Sequence, residues 1–148
     1  MREVTGSTWV FQLMIIFILI FACFLCLVIN YSKAYRVKNE VLSIIEKYEG
    51  ISSTSAGIIN NYLRGESYVT TGSCPDGYYG IKLDNDGYEV ARSGQKYSYC
   101  FRDEYTNDGM IYYQIIVFYR FNLPVIGDVM TFQVEGTTES FQGNVDRY

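Results

Sequence analysis

The sequence predicts an α+β protein in which one long N-terminal helix packs on a small antiparallel β-meander. Three observations carry that prediction. The 29 residues from Val4 to Ser32 contain no charged side chain. Neither Gly nor Pro occurs from Ser7 to Glu49, although the apolar run ends well before that point. In the remaining part, runs of aromatic and β-branched residues are punctuated by Asn/Asp-Gly turns. The expected organisation is a short tail or leader over 1–6, a long helix over 7–50 and a β-rich domain over 51–148.

The helix begins with the apolar run. Trp9 to Ile29 is 21 residues long and is interrupted only by Gln12. At about 1.5 Å of rise per residue it reaches roughly 30 Å, the thickness of a bilayer's hydrocarbon core. A secretory signal peptide is the rival reading, with an apolar core of about 7 to 15 residues and a small-residue cleavage step. The chain instead continues Asn30-Tyr31-Ser32-Lys33-Ala34-Tyr35-Arg36, with no Ala-x-Ala-like step, so the segment is expected to be retained as a membrane anchor over 9–29.

Beyond the anchor the helical pattern persists. Ala34, Val37, Val41, Ile44, Ile45 and Tyr48 recur at steps of three and four, and Lys33, Arg36, Lys38, Glu40, Glu46, Lys47 and Glu49 fill the other positions. That is an amphipathic helix over 33–49 continuous with the span. Its apolar stripe is the natural seat for the chain's own soluble domain. Gly50 is the expected C-cap.

The second domain opens on Ser52-Ser53-Thr54, N-cap residues for a short helix through Ile58, Ile59, Tyr62 and Leu63 that Gly65 would stop. Strands follow. Ile81–Leu83 and Tyr88–Ala91 flank Asp84-Asn85-Asp86-Gly87, and Lys96–Tyr105 and Met110–Phe121 flank Thr106-Asn107-Asp108-Gly109. Asn or Asp beside Gly tolerates the positive φ of a tight hairpin. In the second long arm Ile111, Tyr113, Ile115, Val117, Tyr119 and Phe121 share one parity, which predicts a buried face. Tyr112, Gln114, Ile116, Phe118 and Arg120 share the other, which is at least partly covered. Leu123 to Gly127 interrupts the ladder around Pro124, and Val129–Thr137 alternates as the last strand.

Charge and composition limit the functions available. Residues 1–50 carry five Lys or Arg against four Asp or Glu, and residues 51–148 carry seven against twelve. An acidic domain without a basic stripe is a poor nucleic-acid binder, so no nucleic-acid partner is expected. The chain has no His, which removes His-based triads and His-ligated metals. It has no Gly-x-Ser-x-Gly elbow or phosphate-cradling loop. The acidic turn 84–89 lacks the twelve-residue ligand spacing of a calcium loop and reads as a hairpin. No enzyme, cofactor or metal site is expected.

The cysteines fall into two pairs. Cys23 and Cys26 lie in the apolar run, where Cys is a small hydrophobe rather than a redox motif. Cys74 and Cys100 lie in the second domain, and an even pair in a small domain beside an anchor suggests a disulfide worth about 3 kcal/mol. Two reduced thiols are the alternative. A disulfide implies an oxidising compartment. Lys33, Arg36 and Lys38 after the span argue the other way, because basic residues favour the cytoplasmic side. The cysteine pair and the short stretch before the span decide the expectation: N-terminus cytoplasmic, C-terminal domain extracellular or at the cell surface. Tyrosine is abundant in the second domain, with 12 of the 15 in residues 51–148. Most of it suits a sheet. Tyr78 and Tyr79 after Cys74, with Tyr97 and Tyr99 beside Cys100, are also candidates for a contact surface.

Gly6-Ser7-Thr8-Trp9-Val10-Phe11-Gln12-Leu13, leading into the apolar run and its Gly-free amphipathic continuation, resembles the start of a type IV pilin-like protein. It is most similar to the minor pseudopilins of tight-adherence pili, the TadE-like proteins. The resemblance covers the first 50 residues and the general layout of the rest. It implies that a leader closes at Gly6, that Ser7 becomes the mature N-terminus, and that a disulfide-bearing β domain sits on the helix outside the cytoplasm. It also implies assembly with copies or homologues through the span, with Val10, Leu13, Phe17, Phe21 and Phe24 at the contact. The chain departs from the family at Phe11, which stands where a pilin carries a glutamate. Two functions follow as expectations: a structural or assembly subunit of a surface filament or secretion apparatus, or a monomeric membrane-tethered binding or adhesion module.

Overall fold

The computed structural model describes residues 2–66, 69–83, 88–123 and 127–142. A 46-residue helix, α1 (Arg2–Lys47), opens the chain. A second helix, α2 (Ser53–Gly65), follows, and then five strands: β1 (Tyr79–Ile81), β2 (Tyr88–Val90), β3 (Tyr99–Tyr105), β4 (Ile111–Leu123) and β5 (Gly127–Thr137). The expected α+β layout is present, with a long apolar helix and a small antiparallel sheet.

At about 1.5 Å per residue α1 is close to 70 Å long. Its two halves differ as the sequence requires. Every side chain from Thr8 to Leu25 is exposed, and the segment is long and apolar enough to cross a membrane. One turn from its end, the Asn30 side-chain amide donates to the Cys26 carbonyl at 2.8 Å, satisfying a polar group beside apolar surroundings. The second half turns Ala34, Val37, Val41 and Ile45 into the core, all at most 6% exposed. Tyr48, which the periodicity places on that stripe, is exposed because the helix has already ended.

The helix terminus is a Schellman motif. The Gly50 N–H donates to the Ile45 carbonyl at 3.0 Å and the Glu49 N–H to the Glu46 carbonyl at 3.2 Å. Glu49, rather than Gly50, takes the left-handed position at φ 52°. Gly50 follows at φ 142°, where a Cβ would come within 3.2 Å of the Tyr113 hydroxyl. The chain then reverses into α2 through a capping box: the Ser55 N–H donates to Ser52 Oγ, and the Ser52 N–H donates to Ser55 Oγ at 2.8 Å.

The five strands form one antiparallel sheet in the order β2-β1-β3-β4-β5. This corrects the simple meander, in which β2 would lie between β1 and β3. The hairpin between β1 and β2 forms, with Gly80 opposite Glu89, but β3 takes the other side of β1, with Gly80 opposite Cys100. The chain reaches that side by passing back over β1, and local packing explains why. The ring of Tyr97 lies over Gly80, where any Cβ would meet it at 2.2 Å. Tyr97 also exchanges two backbone hydrogen bonds with Gly72 at 2.8 and 2.9 Å. The Cys74–Cys100 disulfide, with Cα atoms 5.7 Å apart, joins the segment before β1 to β3.

The β3–β4 hairpin turns at Thr106–Gly109 as predicted, with Gly109 at φ 78° and the Thr106 N–H donating to the Met110 carbonyl at 2.8 Å. Pairing of β4 with β5 runs to Leu123 opposite Gly127, with a register shift between Phe121 and Asn122. The Asp84–Gly87 turn and the Pro124 connection lie outside the described residues. Past β5 the ladder resumes, with Thr138 bonded to Tyr113 and Phe141 to Ile111.

Both faces of the sheet are covered. On one, the apolar stripe of α1 and the α2 residues Ala56, Ile59 and Leu63 share a core with Ile81, Tyr99, Phe101, Ile115, Val117 and Tyr119. On this face Gly136 lets α1 approach closely, because a Cβ there would lie 2.9 Å from Lys38 Cδ and 3.0 Å from Leu42 Cδ1. On the other, Cys100, Ile116 and Phe118 are packed under Cys74 and Tyr78. The disulfide therefore sits in a second, smaller core beneath the loop that precedes β1.

Candidate functional site

The most prominent candidate surface is the exposed half of α1. Val10, Leu13, Phe17, Phe21 and Phe24 follow one another at steps of three and four, so they line one side of the rod. All are exposed, Phe17 at 69%. Among the described residues nothing in the chain covers them. An exposed apolar surface of this extent lies on a helix long and apolar enough to cross a membrane. Gly6 lies within α1, which begins at Arg2. It is exposed, with nothing within 4 Å of the position a Cβ would take. Ser7 follows it in the same helix.

The tyrosines do not converge as the contact-surface reading expects. Tyr97 and Tyr99 are fully buried and belong to opposite sides of the sheet, because the chain bends at Ser98 between them. Tyr97 covers Gly80, and its hydroxyl donates to Gln95 Oε1 at 3.0 Å and accepts from the Arg92 N–H at 3.1 Å. Tyr79 is half-buried in an aromatic cluster on the helix-facing side. Its ring stacks on Phe101 at 5.3 Å, with Tyr88, Tyr113 and Phe141 extending the group. Phe101 is buried in this cluster, Tyr79, Tyr113 and Phe141 are half-buried, and Tyr88 is exposed at its edge.

Tyr78 faces the outer side, in a polar network. Its hydroxyl donates to Gln114 Oε1 at 3.0 Å, and the Arg102 guanidinium lies 5.1 Å from its ring centre. Arg102 also reaches Gln114 at 3.2 Å and pairs with Glu104, whose carboxylate accepts from the Tyr112 hydroxyl at 2.5 Å. That bond raises the Tyr112 phenol above its ordinary value of 10.0. The network braces neighbouring strands. Among the described residues no group of three or more Cys, Asp or Glu is placed to hold a metal ion.

A feature not foreseen from the sequence lies where the two halves of α1 meet. A groove of about 390 Å3 opens between the last apolar turn of the span and the paired stretches of β4 and β5 around Tyr119 and Phe132. Leu27, Val28 and Lys33 line it from the helix, and Arg120, Phe132 and Val134 from the sheet. Phe132 is 45% exposed there, although its parity belongs to the helix-facing side.

No protein-family model, no curated protein and no solved structure matches this chain. The class of protein therefore rests on its own fold: a single long helix, half bare and apolar, carrying a disulfide-linked β domain on its other half.

Proposed function

We propose that this chain is a pilin-like, pseudopilin-type subunit of a surface filament or secretion apparatus, anchored by α1 and carrying its β domain outside the cytoplasm. One observation carries the reading. The same unbroken helix is both a bare apolar rod and the spine of the β domain, so movement or packing of the rod is transmitted rigidly to the domain. The disulfide supports the placement of the domain, since such bonds persist in oxidising compartments.

In lipid, helix association relies on close side-chain packing, because tails are as apolar as Leu. The absence of any carboxylate between Val4 and Ser32 makes that reliance complete here. The row Val10, Leu13, Phe17, Phe21 and Phe24 supplies the packing surface, in place of the ion pair that a glutamate at residue 11 would offer. The Gly6–Ser7 step, at which Gly6 is exposed, is the point of maturation. The reading assigns no catalytic role.

N-terminal sequencing of the protein recovered from its native membranes tests this directly, with energy transfer between labelled copies in vesicles as the second readout. A terminus at Ser7 is expected, together with association that weakens about fivefold or more in Phe17→Ala/Phe21→Ala. An intact Met1 with no self-association would leave a tethered binding or adhesion module instead.

A further inference from the structure

The end of the β4–β5 hairpin stands apart from the rest of the sheet. β3 pairs with β4 no further than Tyr99 opposite Val117, and the bridge from Val69 reaches only Tyr119. Beyond that point, among the described residues, β4 and β5 pair with each other alone, down to Leu123 opposite Gly127. A two-stranded ribbon without further packing is marginal in water. Its direction follows from α1. Gly136 lies against Lys38 and Leu42, whereas Phe132 shares a groove with Leu27 and Val28, so β5 read backwards descends the rod toward its apolar half. Gly127 lies a further five residues down, about 16 Å along the strand. The ribbon therefore continues below the level of Ile29, where the apolar run of the span stops. Its composition changes with its position. Between Phe121 and Met130 six residues are Phe, Leu, Val, Ile or Met, and Asp128 is the one charge.

We infer that the end of this hairpin, around Leu123 and Gly127, enters the interfacial layer of the same bilayer that α1 crosses, giving the chain a second membrane contact. The inference rests on the membrane-anchored reading of α1. The partner is a lipid surface because the ribbon is carried to that level by the same rod that carries the span. The headgroup layer is about 5–8 Å deep on each side of a bilayer, less than the length of ribbon below Phe132, so the apolar end reaches the upper acyl carbons. Backbone groups along the ribbon's free edges need water or headgroups as partners, which holds it in this layer and out of the hydrocarbon centre. A second copy is the poorer fit. Copies sharing one bilayer present β5 in the same sense, so antiparallel pairing of their β5 edges would point the two spans in opposite directions. Rod and hairpin together fix the tilt of α1 and the height at which the β domain stands on the membrane.

Lipid quenching of a fluorophore on the full chain in phosphatidylcholine vesicles tests the contact. In a Cys23→Ala/Cys26→Ala background, bimane is attached at Leu123→Cys or at Asp108→Cys, in the turn at the opposite end of β4. Lipids carrying a nitroxide just below the headgroup should quench the label at residue 123 about threefold more than the label at residue 108. Val125→Asp/Ile126→Asp should bring quenching at residue 123 down to that of the control position, while the chain still floats with the vesicles. Equal quenching at the two positions, or undiminished quenching in the doubly charged variant, would overturn the contact while leaving the anchor intact. A label at residue 123 shielded from lipid nitroxide and aqueous iodide alike would overturn it too, assigning the ribbon to a protein partner. A parent chain that fails to float with the vesicles would overturn the anchored reading itself.

Discussion

Tyr113 shows how a single residue ties the helix terminus to the sheet. Its hydroxyl lies beneath Gly50, its ring stacks on Phe141 at 5.9 Å, and its backbone pairs with Thr138. Burial is the main cause that pushes its phenol above the ordinary 10.0. The unfolded chain ionises first as pH rises. Tyr113 therefore contributes fully below pH 10, and its contribution is lost as pH climbs through its raised value. Tyr113→Phe should change stability at neutral pH by only about 1 kcal/mol and should flatten the alkaline decline, as read by urea unfolding at pH 8 and above pH 10. An unchanged alkaline profile would assign the decline to other groups. Residue-level legibility was uneven for a physical reason. Tyr is amphipathic, so composition alone does not tell a buried ring from an exposed one. Tyr97 and Tyr99 are core residues whose spacing suggests a surface, because the bend at Ser98 sends rings of the same parity to opposite sides.

Among the elements, those set by local pattern were legible in the sequence. The unbroken α1, the Ser52 cap of α2, the Gly109 hairpin and the two-faced burial of β4 all follow from periodicity and turn chemistry within a few residues of each other. The strand order was not legible, because it depends on contacts distant in sequence. Gly80 leaves room for Tyr97, and Cys74 reaches Cys100, so β3 takes the free side of β1 in place of β2. Two predictions belong here. Gly80→Ala forces a Cβ to 2.2 Å from a fully buried ring and should cost about 1–3 kcal/mol, measured by thermal unfolding of the detergent-solubilised chain. Cys74→Ala/Cys100→Ala should cost about 3 kcal/mol and lower the melting temperature on the order of 10–20 °C. If the double variant melts with the parent, the second core is held by Ile116 and Phe118 without help from the bond. The groove beside α1 escaped sequence reading for the same long-range reason, since Lys33 and Arg120 are 87 positions apart.

At the scale of the whole molecule, the fold is a rod with two environments. From Thr8 to Leu25 it offers only exposed side chains, and from Ala34 to Ile45 it is the floor of a sheet whose other face is closed by a disulfide. The basic residues after the span favour a cytoplasmic domain by the distribution of charge alone, whereas the disulfide is consistent with an oxidising side. These two tendencies point in opposite directions, so the location of the domain is the claim on which subunit assembly outside the cytoplasm depends. The direct measurement is maleimide labelling of intact cells with a membrane-impermeant reagent, in a Cys23→Ala/Cys26→Ala background. The account predicts no label before reduction and labelling of Cys74 and Cys100 after an impermeant reductant is added. Free thiols that react only once the cells are lysed would place the domain in the cytoplasm and contradict the account.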